Sequence, residues 1–282
     1  MQDVVSLVLN ALTLISILMI VALGLAIVFG LMNIINMAHG EFVTLGAFTL
    51  SLVQSLGGSY WMALVIAPLV GATLGAILER GLIRFLYARP LAAILATWGV
   101  SLIVQQVLQL TFGAAPIAAS GPFEGSVKIL GASYPAYRLL LIALAFATVA
   151  FVIWVMKRTR FGLDLRAVIQ SREIAQTLGI DAGRIATLAF AGGTAIAALA
   201  GVLVAPLTKV IALMGANYLA PSFFVVIVGG AGSLPGVIAG STVVGGLETV
   251  LNYQVPVTLS QALVLITAVI IVRFRPRGLI PA

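Results

Sequence analysis

The chain has 282 residues, 62% of them hydrophobic and only 8% charged, with a net charge of +7 and no cysteine. A soluble domain carries about a quarter charged residues, so this composition, with a mean hydropathy of +1.21, specifies an integral membrane protein. Without cysteine there are no disulfides, no thiol catalysis and no cysteine metal site.

Apolar segments predict spans at 6–30, 40–56, 61–79, 91–112, 139–156, 185–205, 211–230, 234–251 and 257–273. Their continuity specifies helices, because barrel strands alternate over about ten residues. The expected fold is all-α: a polytopic transmembrane helical bundle of about eight or nine spans with broken or re-entrant segments, organised as one domain over 1–282. Asp3 stands where a secretory signal would carry basic residues, so no signal peptide is expected.

The first interruption of the apolar pattern runs from Gly30 to Glu41 and holds the chain's one histidine. At helical spacing Asn33, Asn36 and His39 or Gly40 share a face, from which Glu41 points away. Polar groups at membrane depth are buried in protein or line a wet cavity. The cluster therefore either pins helices together or borders a route for a solute. An amide both donates and accepts without charge, which suits Asn33 and Asn36 to a passing polar solute. A carboxylate at depth needs a partner, so Glu41 is expected as a structural anchor, bonded to backbone N–H groups or to His39.

Further on, Gly71 and Gly75 form a small-residue contact face. Span 91–112 carries Trp98, Ser101, Gln105 and Gln109 at steps of three and four, a polar stripe that lines a hydrophilic path or bonds to neighbouring helices. Basic residues cluster at Arg80, Arg84 and Arg89, within 157–184, and at Arg273, Arg275 and Arg277, together 12 of the 15 lysines and arginines. The positive-inside rule places all three clusters, and hence the C-terminus, in the cytoplasm. The side of the N-terminus depends on whether 6–30 and 40–56 both cross completely.

The segment from Lys157 to Arg184 holds nine of the 23 charged residues. Ser171 is placed to cap a short helix with Glu173 in its first turn, Ile174 and Leu178 on one apolar face and Gly179 as its left-handed stop. Asp181 is placed to cap the next helix. By spacing alone, this short helix either packs on its own protein or docks on another. In the following span Ala189, Gly193, Ala197 and Gly201 repeat every four residues as a packing face. A second interruption, Val228 to Gly236, reads as a tight cytoplasmic turn or as a gate. The chain has no phosphate-binding glycine loop, no HExxH and no Ser-His-Asp set, so neither catalytic nor metal-ligating residues are assigned. His39, Glu41 and Glu248 keep a self-contained channel or ion-coupled carrier in view.

Three blocks resemble the permease subunit of bacterial branched-chain amino acid ABC importers: GLAIVFGLMNIINMAHGEFVTLGAF from Gly24 to Phe48, RFGLDLRAVIQSREIAQTLGI from Arg160 to Ile180, and VGGAGSLPGVIAG from Val228 to Gly240. The resemblance covers nearly the whole chain. It implies a multi-pass inner-membrane transport subunit that is not itself an enzyme. Its implied partners are a second similar permease or a copy of itself, two ATPase subunits that carry ATP and magnesium, and an external substrate-binding protein. The loop at 157–184 would then be the coupling loop, with Arg166, Arg172, Glu173, Ile174, Leu178 and Gly179 meeting the ATPase. The translocation path would be bordered by Asn33, Asn36, His39, Trp98, Ser101 and Gln105. Branched-chain or other hydrophobic amino acids are the expected cargo, but LATWGVSLIVQQ from Leu95 to Gln106 resembles the branch for urea and short amides.

Overall fold

A computed structural model describes residues 2–32, 34–129 and 131–280. It is an all-α bundle with one small hairpin. Its helices are α1 (Gln2–Met32), α2 (His39–Ser55), α3 (Tyr60–Gly81), α4 (Pro90–Phe112), α5 (Ala136–Arg158), α6 (Arg160–Gln170), α7 (Arg172–Thr177), α8 (Ala182–Val204), α9 (Ala216–Gly229), α10 (Leu234–Asn252) and α11 (Val257–Phe274). Short 3₁₀ turns follow α3 and α8. Among the described residues, seven helices are long and apolar enough to cross a membrane. The other two predicted spans, α2 with 17 residues and α9 with 14, rise about 26 and 21 Å, short of a ~30 Å hydrocarbon layer.

The core is the crossing of α1 and α8. Two-thirds of the apolar window in each is buried, 67%, against 22% in α3, α4 and α5, so the outer helices wrap this pair. The crossing is close because it is made by glycines. A Cβ on Gly24 would lie 2.4 Å from the carbonyl oxygen of Gly193, and one on Gly193 would lie 2.6 Å from that of Gly24. The four-residue repeat of α8 works as its spacing predicts: Gly201 meets the backbone of α2 at Val43 and Ala47, and Ala189 and Ala197 are buried.

Two ends of the bundle can be told apart. At one, here the hairpin end, the start of α1 meets the start of α5, with the Arg138 guanidinium donating to Asn10 Oδ1 at 2.7 Å. At the other, the basic end, Gly30 packs on Gly232 in the α9–α10 turn. α1, α3, α5 and α11 run from the hairpin end to the basic end; α4, α8 and α10 run back. The order α1–α4 is repeated, upside down, by α8–α11. α3 packs on α8 as α10 packs on α1, and α2 packs on α3 as α9 packs on α10. Each half opens with a long helix, a break and a short helix. The two short helices touch back to back: a Cβ on Gly40 would lie 2.5 Å from Gly215 O, and one on Gly215 would lie 2.0 Å from Gly40 O.

Three expectations change. The segment 157–184 forms two helices, not one. Thr159 caps α6, its hydroxyl accepting from the Gly162 N–H at 3.2 Å, and the three- and four-residue spacing of Phe161, Leu165 and Val168 packs α6 into a small core with Ala175, Ala182 and Ile185. Charge density masked that apolar face. The span expected at 211–230 is helical only from Ala216, because Val210 pairs as an isolated bridge with Ile117 and the chain turns before Gly215 reaches Gly40. Between α4 and α5, Ser126–Ile129 (β1) and Ala132–Pro135 (β2) form an antiparallel hairpin with Ser126 opposite Pro135. The Val228–Gly236 interruption is a tight turn, with Gly230 and Gly232 at φ +120° and +77°.

Candidate translocation and coupling sites

Residues 34–38 connect α1 to α2 without helix; Ile34, Asn36 and Ala38 are buried, and Ile35 is exposed. His39, the first residue of α2, bonds through Nε2 to Val21 O at 3.1 Å, about 16 Å back along α1 from its end at Met32. A carbonyl only accepts, so Nε2 carries the proton and Nδ1 presents a lone pair. Asn36 closes the turn into α2, its Oδ1 accepting from the Ala38 N–H at 3.0 Å and its carbonyl from the His39 N–H at 3.2 Å. The Met37 N–H donates to Thr97 Oγ1 on α4 at 3.1 Å. Thr44 ties α2 to α9 by accepting from the Gly215 N–H at 3.0 Å.

Glu41 is anchored, but not as expected. Its Oε1 accepts from Ser101 Oγ and from Gln105 Nε2, both at 2.7 Å, rather than from backbone N–H groups or His39. The break explains the difference: residues 34–38 are not helical, so Asn36 and His39 do not share a helical face, and Glu41 turns to α4. The polar stripe of α4 is also split. Ser101 and Gln105 face α2, whereas Trp98 is 56% exposed on the outer surface and joins no cluster with them. Asn33 lies outside the described residues.

Among the described residues, four buried side-chain polar atoms lack a hydrogen-bond partner: Ser16 Oγ, Asn36 Nδ2, His39 Nδ1 and Glu41 Oε2. Three of the four fall within six residues of the break. An unpartnered buried polar atom costs about 1–3 kcal/mol, so three of them along one six-residue stretch call for a functional explanation. They offer one amide donor, one imidazole acceptor and one carboxylate oxygen. Among the described residues, no three metal-ligating side chains come together.

At the basic end the residues expected to meet an ATPase separate into two groups. Ser171 accepts from the Ile174 N–H at 3.3 Å, Gly179 closes α7 at φ +83°, and Asp181 Oδ1 accepts from the Arg184 N–H at 3.0 Å, as the sequence pattern requires. Ile174 and Leu178 are 62% and 73% exposed, and Glu173 is exposed beside them. Arg166 stands apart on α6, lining a cavity between α1, α6 and the α9–α10 turn. Arg172 lies over the Tyr87 ring at 5.1 Å. The Tyr87 hydroxyl donates to Glu79, fully buried on α3, whose other oxygen accepts from Thr187 Oγ1 on α8 at 2.6 Å. Burial, then the contact with Glu79, pushes the Tyr87 hydroxyl above the ordinary tyrosine range, so it stays a donor. Sequence reasoning missed Glu79, Tyr87 and Thr187. Their one signal was an acid next to Arg80 at a helix end, which reads as surface charge.

A bundle with inverted halves, two half-length helices meeting inside it, and uncompensated polar atoms at their junction is the build of a membrane transport protein. The family model for the branched-chain amino acid transport system / permease component matches residues 7–273, and the chain belongs to that family. It is 28% identical over 255 residues to the high-affinity branched-chain amino acid transport system permease protein LivH of Salmonella typhimurium, covering 85% of this chain and 83% of that one. It is 28% identical over 258 residues to the corresponding permease BraD of Pseudomonas aeruginosa, with the same coverage. It is also 29% identical over 268 residues to the autoinducer 2 import system permease protein LsrD of Salmonella paratyphi B, covering 88% of this chain and 77% of that one. The chain is thus a transport subunit rather than an enzyme.

Proposed function

We propose that this chain forms the translocation path of an ATP-driven importer for branched-chain or other hydrophobic amino acids. It works in the inner membrane with a second permease or a second copy of itself, two ATPases that bind ATP and magnesium, and an external binding protein. The observation that carries this reading is the non-helical break between α1 and α2, along which Asn36 Nδ2, His39 Nδ1 and Glu41 Oε2 are buried without a hydrogen-bond partner. Each of the three keeps one unused donor or acceptor while its other atoms hold α1, the turn into α2 or α4. The exposed Ile174 and Leu178 on α7 supply the second requirement, a surface for the ATPase to push on. The similarity to LivH and BraD favours the amino acid cargo.

The test is reconstitution in proteoliposomes with the partner ATPases and binding protein. Labelled leucine should accumulate only with ATP, and an ATPase unable to hydrolyse should abolish it. Uptake that persists without ATP would favour a self-contained channel or ion-coupled carrier instead. The resemblance of Leu95–Gln106 to the urea and short-amide branch favours one other cargo, and parallel uptake of labelled urea separates the two. The basic end faces the cytoplasm in this reading, with the C-terminus there. A cytoplasm-dependent reporter fused after Ala282 should be active, and a stable but silent fusion would reverse the orientation.

A further inference from the structure

A second polar cavity, of about 280 Å³, opens between α9, α10 and α11. Glu248, Gln261 and Asn217 line it on three different helices, together with Pro221, Phe224 and Val264. Glu248 is 8% exposed, although it lies in the last turns of an apolar helix. Its place is fixed by the α10–α11 turn, where the Ser260 hydroxyl donates to the Glu248 carbonyl at 3.2 Å. Among the described residues, no lysine or arginine lines the cavity. Asn217 and Gln261 are exposed on the bundle surface. Amides and a carboxylate on membrane helices do not face lipid; they face protein or water.

The inverted repeat gives this cavity a counterpart. α9 and α11 occupy in the second half the places of α2 and α4 in the first. In each half a carboxylate stands beside a glutamine of the last helix: Glu41 with Gln105, and Glu248 with Gln261. In the first half the pair is closed, with Gln105 donating to Glu41 at 2.7 Å. In the second half the Gln261 side chain also reaches Glu248, and both members line open space of a size near the ~300 Å³ lower end of small-molecule pockets.

We propose that this cavity binds the ammonium group of an aliphatic amino acid on its way through the membrane. Glu248 supplies the opposite charge, the amide oxygens of Asn217 and Gln261 accept the remaining N–H groups, and Pro221, Phe224 and Val264 receive the aliphatic side chain. This deepens the amino acid reading above and rests on it for the identity of the cargo.

The test uses the absence of native cysteine in the chain. Asn217→Cys and Gln261→Cys are made singly in the assembled transporter and labelled with cationic and anionic methanethiosulfonate reagents of equal size. A carboxylate in a confined cavity should favour the cationic reagent by about tenfold, and adding Glu248→Gln should remove the preference. Leucine and 3-methylbutylamine, which carries the ammonium without the carboxylate, should slow labelling; 3-methylbutanoate, which lacks the ammonium, should not. Equal rates for the two reagents, inert cysteines at both positions, or protection by the acid but not the amine would overturn the site. Failure of the wild-type transporter to import leucine would overturn the proposed cargo, while protection by the amine would still decide whether the cavity binds an ammonium.

Discussion

Asn36 and Glu41 both sit beside the break, yet they spend their hydrogen bonds differently, and substitutions should separate them. Asn36 uses its oxygen to hold the turn into α2 and leaves Nδ2 free. Asn36→Ala should insert normally and slow uptake about tenfold, roughly 1.4 kcal/mol in a rate-limiting step, with ATPase activity still responsive to the binding protein. Unchanged uptake would remove Asn36 from the path. Glu41 accepts from two α4 side chains at once. Glu41→Ala removes the acceptor of both, leaving Gln105 Nε2 only its bond to Ser101 Oγ and the Ser101 hydroxyl none, at a cost of roughly 1–3 kcal/mol, read as lower folded yield and a lower melting temperature in detergent. Glu41→Gln keeps an accepting oxygen and should recover much of that loss; equal damage from both variants would count against the anchoring bonds. That a carboxylate at this depth needs partners was legible in the sequence. Which partners was not, since Ser101 lies 60 residues away and the non-helical backbone at 34–38 breaks every facing rule based on spacing.

Among the elements, α7 joins its exposed apolar pair to a buried chain of contacts. Arg172 rests on Tyr87, Tyr87 bonds Glu79, and Glu79 bonds Thr187 on α8, the helix that packs against the break from behind. A push on α7 therefore has a route to α8 through Arg172, beside the exposed Ile174 and Leu178. Changing Arg172 to Glu and Glu173 to Arg together should leave the permease inserted while ATP hydrolysis no longer drives uptake. Intact coupled transport in that double variant would show that α7 is not the ATPase contact. The caps of α7 and α8 were plain in the sequence, because Ser171, Gly179 and Asp181 each act within four residues. α6 was hidden, because its apolar face matters only once α8 is beneath it, and no local pattern announces a tertiary partner.

At the scale of the molecule, the order and approximate limits of nine long apolar segments were readable from hydropathy alone. The inverted relation between α1–α4 and α8–α11 was not, because it resides in which helices touch. The reciprocal Gly24–Gly193 and Gly40–Gly215 contacts show how the halves fit: backbone meets backbone, and a methyl group at any of these positions would force them apart. The half-length helices add a consequence for biosynthesis. α2 begins with His39, Gly40 and Glu41, spans 17 residues, and finds much of its packing on α8, made more than 120 residues later. Leaving the translocon alone, α2 would meet lipid with an unpaired carboxylate and too short a hydrocarbon stretch. It should therefore stay at the membrane surface, or beside the translocon, until α8 is synthesised. A chain truncated after Phe112 and bearing a glycosylation acceptor or a protease site at Gly57 should show α2 unintegrated, whereas one extended through Leu207 should protect it. Full integration of α2 in the shorter chain would mean that α4, through Ser101 and Gln105, suffices to carry the broken helix into the bilayer.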